Sequence, residues 1–359
     1  MFCHRFLPLA LLIPTADGHL HFRAAPDTEL RTTISLQSSM EVVGGLSTTE
    51  MGEEPMPEGT SLELTDEITL SYVDRFATAV DAEEGWASER TLESAGRSFT
   101  FGSEDPNGPE GTTEATFVSE SALEGVALNF ATDEDGELSV DCVDEDDADD
   151  IERAWLEALD SDLYALCVLP AGELEVGRTW TVDAADADAL LFPGGRLAWP
   201  EWELDSFDGD SRMGGMGEAL TVVFLALSAL ETSEASGEWS FEATEVSDDE
   251  ATIAISAEIE LAGPDGDLLA SLLDELQEDA ETEIPMTIGL DDVDGEHQLV
   301  ITGTLVWNRA RNRLASLELE GEAESEAMIS IGMSFGEMEM NQTLEFELEG
   351  DWGLEVTVE

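Results

Sequence analysis

The clearest pattern in the chain is an alternation of apolar and polar residues over its last 63 residues. The apolar positions on one face are Leu299, Ile301, Leu305, Trp307, Leu317 and Leu319, with a turn predicted at residues 308–312. Glutamates fill the opposite face of the last strands, at Glu337, Glu339, Glu345, Glu347 and Glu349. A period of two with one apolar face is typical of long antiparallel strands that are solvated on one side.

Shorter stretches of the same alternation run through the rest of the chain. They predict strands over residues 30–43, 62–73, 86–101, 126–130, 138–143, 180–182, 239–246 and 251–261. The segment 44–60, which is rich in Gly, Pro and Glu, is predicted to be a loop. Asp135-Gly136 predicts a hairpin between its two flanking strands.

Two segments have helical spacing instead. Ile151, Ala154, Trp155, Ala158 and Leu159 predict a helix near 146–161, and five leucines predict a second helix near 266–279. A shorter helix is expected around 184–191. Long strands with few helices indicate a mainly β (α+β) fold, in which an antiparallel curved sheet or half-barrel is covered by a few helices.

The chain divides into three predicted parts. Residues 1–25 form a leader, 26–204 a β-rich half with the helix near 146–161, and 205–359 an antiparallel sheet half with the helix near 266–279. The boundary is placed in the Asp- and Gly-rich segment 205–217, as a boundary or a long exposed loop. Each half contains a Gly-x-Leu-x-Trp pentapeptide, at 195–199 and 303–307, which suggests two similar halves.

The first residues resemble a short signal peptide. Arg5 precedes a nine-residue apolar run over 6–14, which is too short to span a bilayer. Cleavage after Ala16 or after Ala25 would export the protein to the periplasm or the cell surface; the alternative is a cytoplasmic protein with an apolar start. An apolar run of eleven residues at 220–230 is also too short, so no transmembrane span is expected.

Charge narrows the range of partners. The chain of 359 residues carries 84 Asp and Glu against 13 Lys and Arg, a formal net charge of −71. Nucleic acids and anionic membranes are therefore unsuitable partners. The chain contains no lysine, which excludes Schiff-base chemistry and a phosphate-binding P-loop lysine.

The same charge predicts a dependence on salt. Spread over about 14,000 Å² of surface, the carboxylates lie about 13 Å apart. The Debye length falls from about 8 Å at physiological salt to about 3 Å at 1 M, so only strong salt screens them fully. We expect a salt-adapted protein that binds cations non-specifically; the alternative is an acidic surface that serves solubility alone.

The two cysteines beyond the leader leave two alternatives. Cys142 and Cys167 form either one disulfide, as an exported chain permits, or two buried thiols. No Cys/His spacing suits zinc, and aligning Gly136 or Gly295 with the calcium-loop pattern places apolar residues at ligand positions. No metal site and no cofactor are predicted.

Catalytic motifs are equally sparse. Gly332 to Gly336 matches the nucleophile elbow around Ser334, but that motif needs a following helix and a later histidine, and the chain has neither after Ser334. His297 is expected to be a surface residue at the start of a strand. No catalytic residue is assigned, and a non-enzymatic role is favoured over catalysis by carboxylates.

Two residue groups are candidates for binding. The apolar strand faces offer a ligand surface for an acyl chain, at Met333, Phe335, Met338, Met340 and Phe346; the alternative is ordinary core. Arg309, Arg311 and Arg313 concentrate positive charge in one turn and either grip an anion or neutralise carboxylates of their own chain.

Several sequence segments resemble those of other proteins. Val176-Gly177-Arg178-Thr179-Trp180, the turn over 193–199, and Gly303-x-Leu-x-Trp307-Asn308 are similar to segments of uncharacterised exported proteins of planctomycete-like bacteria. The resemblance implies long curved antiparallel sheets like those of lipoprotein-carrier half-barrels. It transfers no catalytic residue, and a carrier role follows only by analogy.

Three functions remain open at this point. The first is a non-enzymatic exported or envelope protein whose sheet binds a lipid, another apolar ligand or a partner. The second is a hydrolase that acts on a glycan with two carboxylates about 5–10 Å apart. The third is a structural protein of the cell surface.

Overall fold

The structure of the protein is a computed structural model. It describes residues 20, 22–49, 52–55, 61–78, 80–81, 87–104, 112–132, 138–144, 151–159, 168–170, 172–192, 195, 197, 199, 203–208, 235–262, 286–335 and 338–359.

Strands dominate the described residues. They are β1 Arg23–Ala24, β2 Thr28–Thr49, β3 Gly52–Pro55, β4 Ser61–Phe76, β5 Val80–Asp81, β6 Ala87–Glu104, β7 Thr112–Glu120, β8 Ala127–Thr132, β9 Leu138–Cys142, β10 Thr179–Asp183, β11 Glu203–Asp208, β12 Ala235–Val246, β13 Glu250–Ala262, β14 Met286–Asn308, β15 Arg313–Phe335 and β16 Met338–Val358. Two short helices accompany them in this part of the chain: α1 Arg153–Glu157 and a 3₁₀ helix over Ala184–Leu190. The mainly β prediction is confirmed.

Fourteen of these strands form one curved antiparallel sheet that does not close. Its main order is β10-β12-β13-β14-β15-β16-β2-β4-β6-β7-β11, while β3 lies beside β2, and β8 joins β6 to β9. Strands of the two predicted halves are hydrogen-bonded to each other, because β16 pairs with β2 and β10 pairs with β12. The two halves therefore share a single sheet.

Glycines allow neighbouring strands to approach closely at several points of this sheet, two of which lie in β14 and β16. A Cβ at Gly303 would lie 2.2 Å from the carbonyl oxygen of Glu318, and a Cβ at Gly350 would lie 2.0 Å from that of Ser39. Interior glycines of strands mark such close approaches and bends. The sequence thus provides for curvature within its longest strands.

The inner face of the sheet forms the core, together with the 3₁₀ helix and the chain after it. Trp239, Trp307, Ile253 and Ile259 are among its most completely buried side chains. Part of the predicted leader also belongs to this core: Leu20, Phe22 and Ala24 are buried, and β1 pairs with β5. Residues 1–19 and 21 of that leader lie outside the described residues.

The outer face of the sheet carries carboxylates that lie directly opposite one another. One row crosses four strands at Glu324, Glu349, Glu41 and Glu63, and a second crosses three strands at Glu296, Glu326 and Glu347. All seven side chains are exposed. We call these the acidic rows. Like charges at directly opposed positions destabilise a sheet. Repulsion between the carboxylates of this face therefore destabilises the fold unless salt screens it.

Several local predictions differ from the structure. The predicted loop over 44–60 is partly strand, because β2 continues to Thr49 through pairing with β16, and β3 then turns back along β2. Within the predicted boundary segment, residues 205–208 belong to β11, which pairs with β7. The helix predicted near 146–161 is five residues long where it is described.

Other local predictions are confirmed. The hairpin around Asp135-Gly136 is β8 paired with β9. The turn at 308–312 is present, with Asn312 in the left-handed region at a φ of 50°. Ser334 lies within β15, which pairs along its length with β16, so the elbow motif belongs to a hairpin. The helix predicted near 266–279 and the apolar run at 220–230 lie outside the described residues.

Candidate functional site

A cavity of about 150 Å³ lies between the inner face of the sheet and the chain that follows the 3₁₀ helix. Seven adjacent strands, from β13 to β6, contribute its sheet side. In a flat sheet the outermost two of these strands would be about 29 Å apart, so the curvature brings them around a common space. The sheet side consists of Ile34, Leu36, Ser38, Met40, Asp66, Ile68, Leu70, Arg97, Leu261, His297, Leu299, Ala323, Ser325 and Trp352.

The other side of the cavity is a covering segment formed by Leu191, Phe192, Gly195, Leu197 and Trp199. Gly195 forms a bridge with Leu159, just beyond α1, which holds this segment in place. The period of two in β2 and β4 explains why alternate residues of these strands face the cavity. Most of the lining is aliphatic or aromatic, so the cavity suits an apolar occupant.

One polar pair lies on the β4–β6 side of the cavity. Arg97 donates from Nε to Oδ1 of Asp66 at 2.9 Å and from Nη2 to Oδ2 at 2.5 Å. The Arg97 side chain is 3% exposed and the Asp66 side chain 17%. A bidentate pair of this kind compensates both charges. Asp66 is the sole carboxylate among the described residues that line the cavity, and it is held by Arg97.

A second polar pair lies on the β14–β15 side. His297 and Ser325 are directly opposed in the register, and Nδ1 of His297 is hydrogen-bonded to Oγ of Ser325. The prediction that His297 is a surface residue at a strand start is wrong. The residue is 4% exposed and lies eleven residues into β14. It shares the inward face with Leu299 and Ile301, a parity that was visible in the sequence.

Burial also sets the charge state of His297. Removal from water lowers its pKa from 6.5 to about 4, because desolvation disfavours the charged ring. The imidazole is therefore neutral at physiological pH, with one nitrogen protonated. Its Nε2 is buried and has no hydrogen-bond partner within the described part of the chain. A buried polar atom left in this state is costly.

This shift predicts a specific pH dependence. The unfolded chain binds a proton on residue 297 below about pH 6.5, whereas the folded chain does so only below about pH 4. The stability that depends on the neutral ring is complete above pH 6.5 and is lost as the pH falls toward 4. Relative to His297→Gln, the wild type should lose about 3 kcal/mol of unfolding free energy between pH 7 and pH 4.

Urea unfolding of both proteins at several pH values, in 1 M sodium chloride throughout, measures this difference. The constant salt keeps carboxylate repulsion screened, and the variant shares all other titrating groups. Asp66 and Arg97, the charged side chains that line the same cavity, are also common to both proteins. Parallel stability curves for the two proteins would contradict a buried neutral histidine.

The ligand residues predicted from the sequence lie elsewhere in the sheet. The β15–β16 hairpin pairs Met333 with Met340 and Phe335 with Met338 near its tip. Met333 is about 26 Å along the strand from Ser325, at 3.3 Å per residue. Phe346 is half-buried opposite Ala327 and is not among the described cavity residues. The binding role of these five residues stays a prediction.

The arginine turn is held by backbone contacts. Arg309 donates from its guanidinium to the carbonyl of Ser247, and the backbone amide of Arg311 is capped by the side chain of Asn308. Burial lowers the pKa of Arg313, and the charge of Arg311 lowers it further. None of the three forms an ion pair with a carboxylate in the described part of the chain. The turn is therefore a locally positive patch on an acidic protein.

The remaining predictions concern cysteines, metals and membrane spans. Cys142 is half-buried on β9, and Cys167 lies outside the described residues, so the disulfide stays a prediction. Within the described ranges, no group of three His, Cys, Asp or Glu side chains is placed to hold a metal ion. Nor does any described helix have the length and apolarity needed to cross a membrane.

Together, these features define an antiparallel-sheet protein with an apolar cavity on its inner face. No family model matches the chain, and no curated protein matches it. Among solved structures, Pseudomonas aeruginosa OccK7 (OpdD) is 6% identical over 92% of this chain and 98% of its own, with a TM-score of 0.14. The transport unit of the Escherichia coli autotransporter AIDA-I is 7% identical over 91% of this chain and 89% of its own, with a TM-score of 0.12. Acinetobacter baumannii OccAB4 is 9% identical over 93% of this chain and 99% of its own, with a TM-score of 0.10. Scores this low carry no argument about fold or function.

Proposed function

We propose that the protein is a non-enzymatic exported or envelope protein that binds an apolar ligand, such as part of a lipid, in the cavity under the sheet. The observation that carries this proposal is the apolar cavity itself. Its lining is mainly aliphatic and aromatic, and its two polar pairs are each held within the protein. In this proposal the curved sheet acts as a half-barrel, and the covering segment lies across its open side.

The size of the cavity supports this proposal. A site for one water molecule needs about 10–15 Å³ on the same measure, and an apolar cavity of about 150 Å³ is known to bind a benzene-sized molecule. The space of about 150 Å³ found here therefore accepts a ring or a short segment of acyl chain. The rest of a longer ligand would extend beyond the covering segment.

Export is the second part of the proposal, and the apolar run after Arg5 supports it. Because Leu20 and Phe22 are buried in the core, we place the end of the leader before Leu20, which favours Ala16 over Ala25 as the cleavage position. The acidic surface would bind cations non-specifically in a salty exterior.

Native mass spectrometry of the purified protein tests the proposal. We expect a population whose mass exceeds that of the chain by one apolar molecule, and extraction with organic solvent should remove this excess. Ala323→Leu, which adds three carbons to a residue that lines the cavity, should abolish it. Glu324→Gln, at the next residue on the outer face, is the matched control and should leave it unchanged.

The contradicting outcome is also clear. If the wild type has the mass of the bare chain and takes up no added toluene, the cavity has no binding role. The same conclusion holds if Ala323→Leu and Glu324→Gln retain equal amounts of bound molecule, because binding would then take place somewhere other than this cavity.

A further inference from the structure

One buried polar atom on a residue that lines the cavity has no hydrogen-bond partner among the described residues. Arg97 and Asp66 satisfy each other, and Ser325 satisfies Nδ1 of His297. Nε2 of His297 has no partner among the described residues, although the side chain lines the cavity and is 4% exposed. Nε2 lies farther from its own backbone than Nδ1, at the outer end of a ring that lines the cavity.

The chemistry of this atom restricts the group that can meet it. If Ser325 donates to Nδ1, then Nε2 carries the proton and needs an acceptor; if Nδ1 donates to Ser325, then Nε2 needs a donor. A hydroxyl group is both donor and acceptor, so it satisfies either tautomer. A single hydroxyl group can therefore satisfy Nε2 of His297 in either tautomer.

Charge disfavours the obvious alternative, an ionised fatty acid. The guanidinium of Arg97 is already neutralised by Asp66, and His297 is held in the neutral form by burial. A carboxylate would therefore enter an apolar space with no free cation among the described lining residues, inside a chain whose net charge is −71. A neutral ligand avoids this cost.

We propose that the cavity selects a neutral amphiphile with a hydroxyl group, which hydrogen-bonds to Nε2 of His297 while its apolar part packs against Leu261 and Leu299. Leu261 is opposite His297 in the register and Leu299 follows it on the same face. The inference rests on the proposed function, since it names the class of ligand for the same cavity. Long-chain alcohols and hydroxyl-bearing neutral lipids have the required chemistry.

Phenol and toluene form a matched pair of probes, because they have the same size and differ by a hydroxyl in place of a methyl group. We would measure the dissociation constants of both by calorimetry on the full chain, for the wild type, His297→Phe and His297→Gln. His297→Phe should weaken phenol binding by roughly three- to tenfold, the range that one hydrogen bond gives, and should change toluene binding by less than about twofold. His297→Gln, whose amide can donate and accept, should restore much of the phenol affinity.

The possible outcomes distinguish a failure of this inference from a failure of the proposed function. If His297→Phe changes phenol and toluene binding by the same factor, the hydroxyl has no contact with His297; the inference is then wrong, and the cavity still binds apolar ligands. Binding of benzoate with higher affinity than phenol at pH 7 would also overturn the inference, since it requires a free cation. If neither phenol nor toluene binds to the wild type, the proposed function itself fails.

Discussion

Raising sodium chloride from 10 mM to 1 M is expected to raise the melting temperature of this protein by roughly 10 °C. Over this range the Debye length falls from about 30 Å to about 3 Å. Two carboxylates 13 Å apart repel by roughly 0.3 kcal/mol in unscreened water, and 84 of them sum to an effect on the order of 10 kcal/mol. At about 2.1 cal/mol/K of unfolding entropy per residue, that energy corresponds to a shift of roughly 10 °C.

The acidic rows give this prediction a structural origin. Glu349 lies between Glu324 and Glu41 in adjacent strands, and opposed Cβ atoms in such positions are about 5 Å apart. Replacing Glu349 with Gln should therefore stabilise the fold by roughly 0.5–1 kcal/mol in 10 mM salt, and by much less in 1 M salt.

Glu345→Gln is the matched control for this substitution. Glu345 is also exposed on β16, but the residues opposite it are Met328 and Leu46, so its removal should have a smaller effect at low salt. Scanning calorimetry in 10 mM and 1 M sodium chloride gives the melting temperatures of the wild type, Glu349→Gln and Glu345→Gln. A melting temperature that stays flat across this salt range would show that the acidic surface serves solubility alone.

Removing Asp74 is expected to destabilise the fold by about 3–5 kcal/mol, because it removes a carboxylate that forms two hydrogen bonds with a buried arginine. Arg90 donates to Asp74 from Nε at 3.1 Å and from Nη2 at 2.9 Å, and Ser88 adds a third hydrogen bond at 3.2 Å. The guanidinium carbon lies 4.1 Å from the ring centroid of Tyr72 and 4.3 Å from that of Phe130. The pair is directly opposed across β4 and β6.

Two comparisons isolate the buried charge as the cause. Glu29→Ala removes a carboxylate from Arg75 in a pair whose side chains are about 60% exposed, and it should cost less than about 1 kcal/mol. The double variant Asp74→Leu with Arg90→Met removes both charges and should recover most of the loss. Urea unfolding in 1 M salt gives the three free energies. Equal losses for Asp74→Ala and Glu29→Ala would refute this account of Asp74.

The strands could be predicted from the sequence where one face meets water. In β15 and β16 the glutamates alternate with apolar residues, so the period of two is visible without the structure. The end of β2, residues 44–49, was missed because Gly44 and Gly45 have low strand propensity, and its pairing with β16 overrides that preference. Local strand propensity does not indicate pairing with a strand about 300 residues away in the sequence.

The cavity could not be predicted for a related reason. Ile34, Ile68 and Leu299 look like ordinary core positions in their own strands, and the register of the sheet brings them to one space. Methionine-rich alternation pointed to the β15–β16 hairpin tip instead, because side-chain type was the only available signal. The parity of His297 with Leu299 showed which face it occupies, but the absence of a partner for Nε2 required the structure.

If an apolar molecule enters the cavity under the sheet, the NMR signal of the Met40 methyl group should change. Met40 lines the cavity, whereas Met328 is half-buried on β15 and does not line it. We would label the methionine methyl groups with ¹³C, assign these two signals with Met40→Leu and Met328→Leu, and titrate the wild type with toluene. The account predicts a saturable ring-current shift of the Met40 signal and a stationary Met328 signal. A Met40 signal that does not move, or equal shifts of both signals, would contradict it.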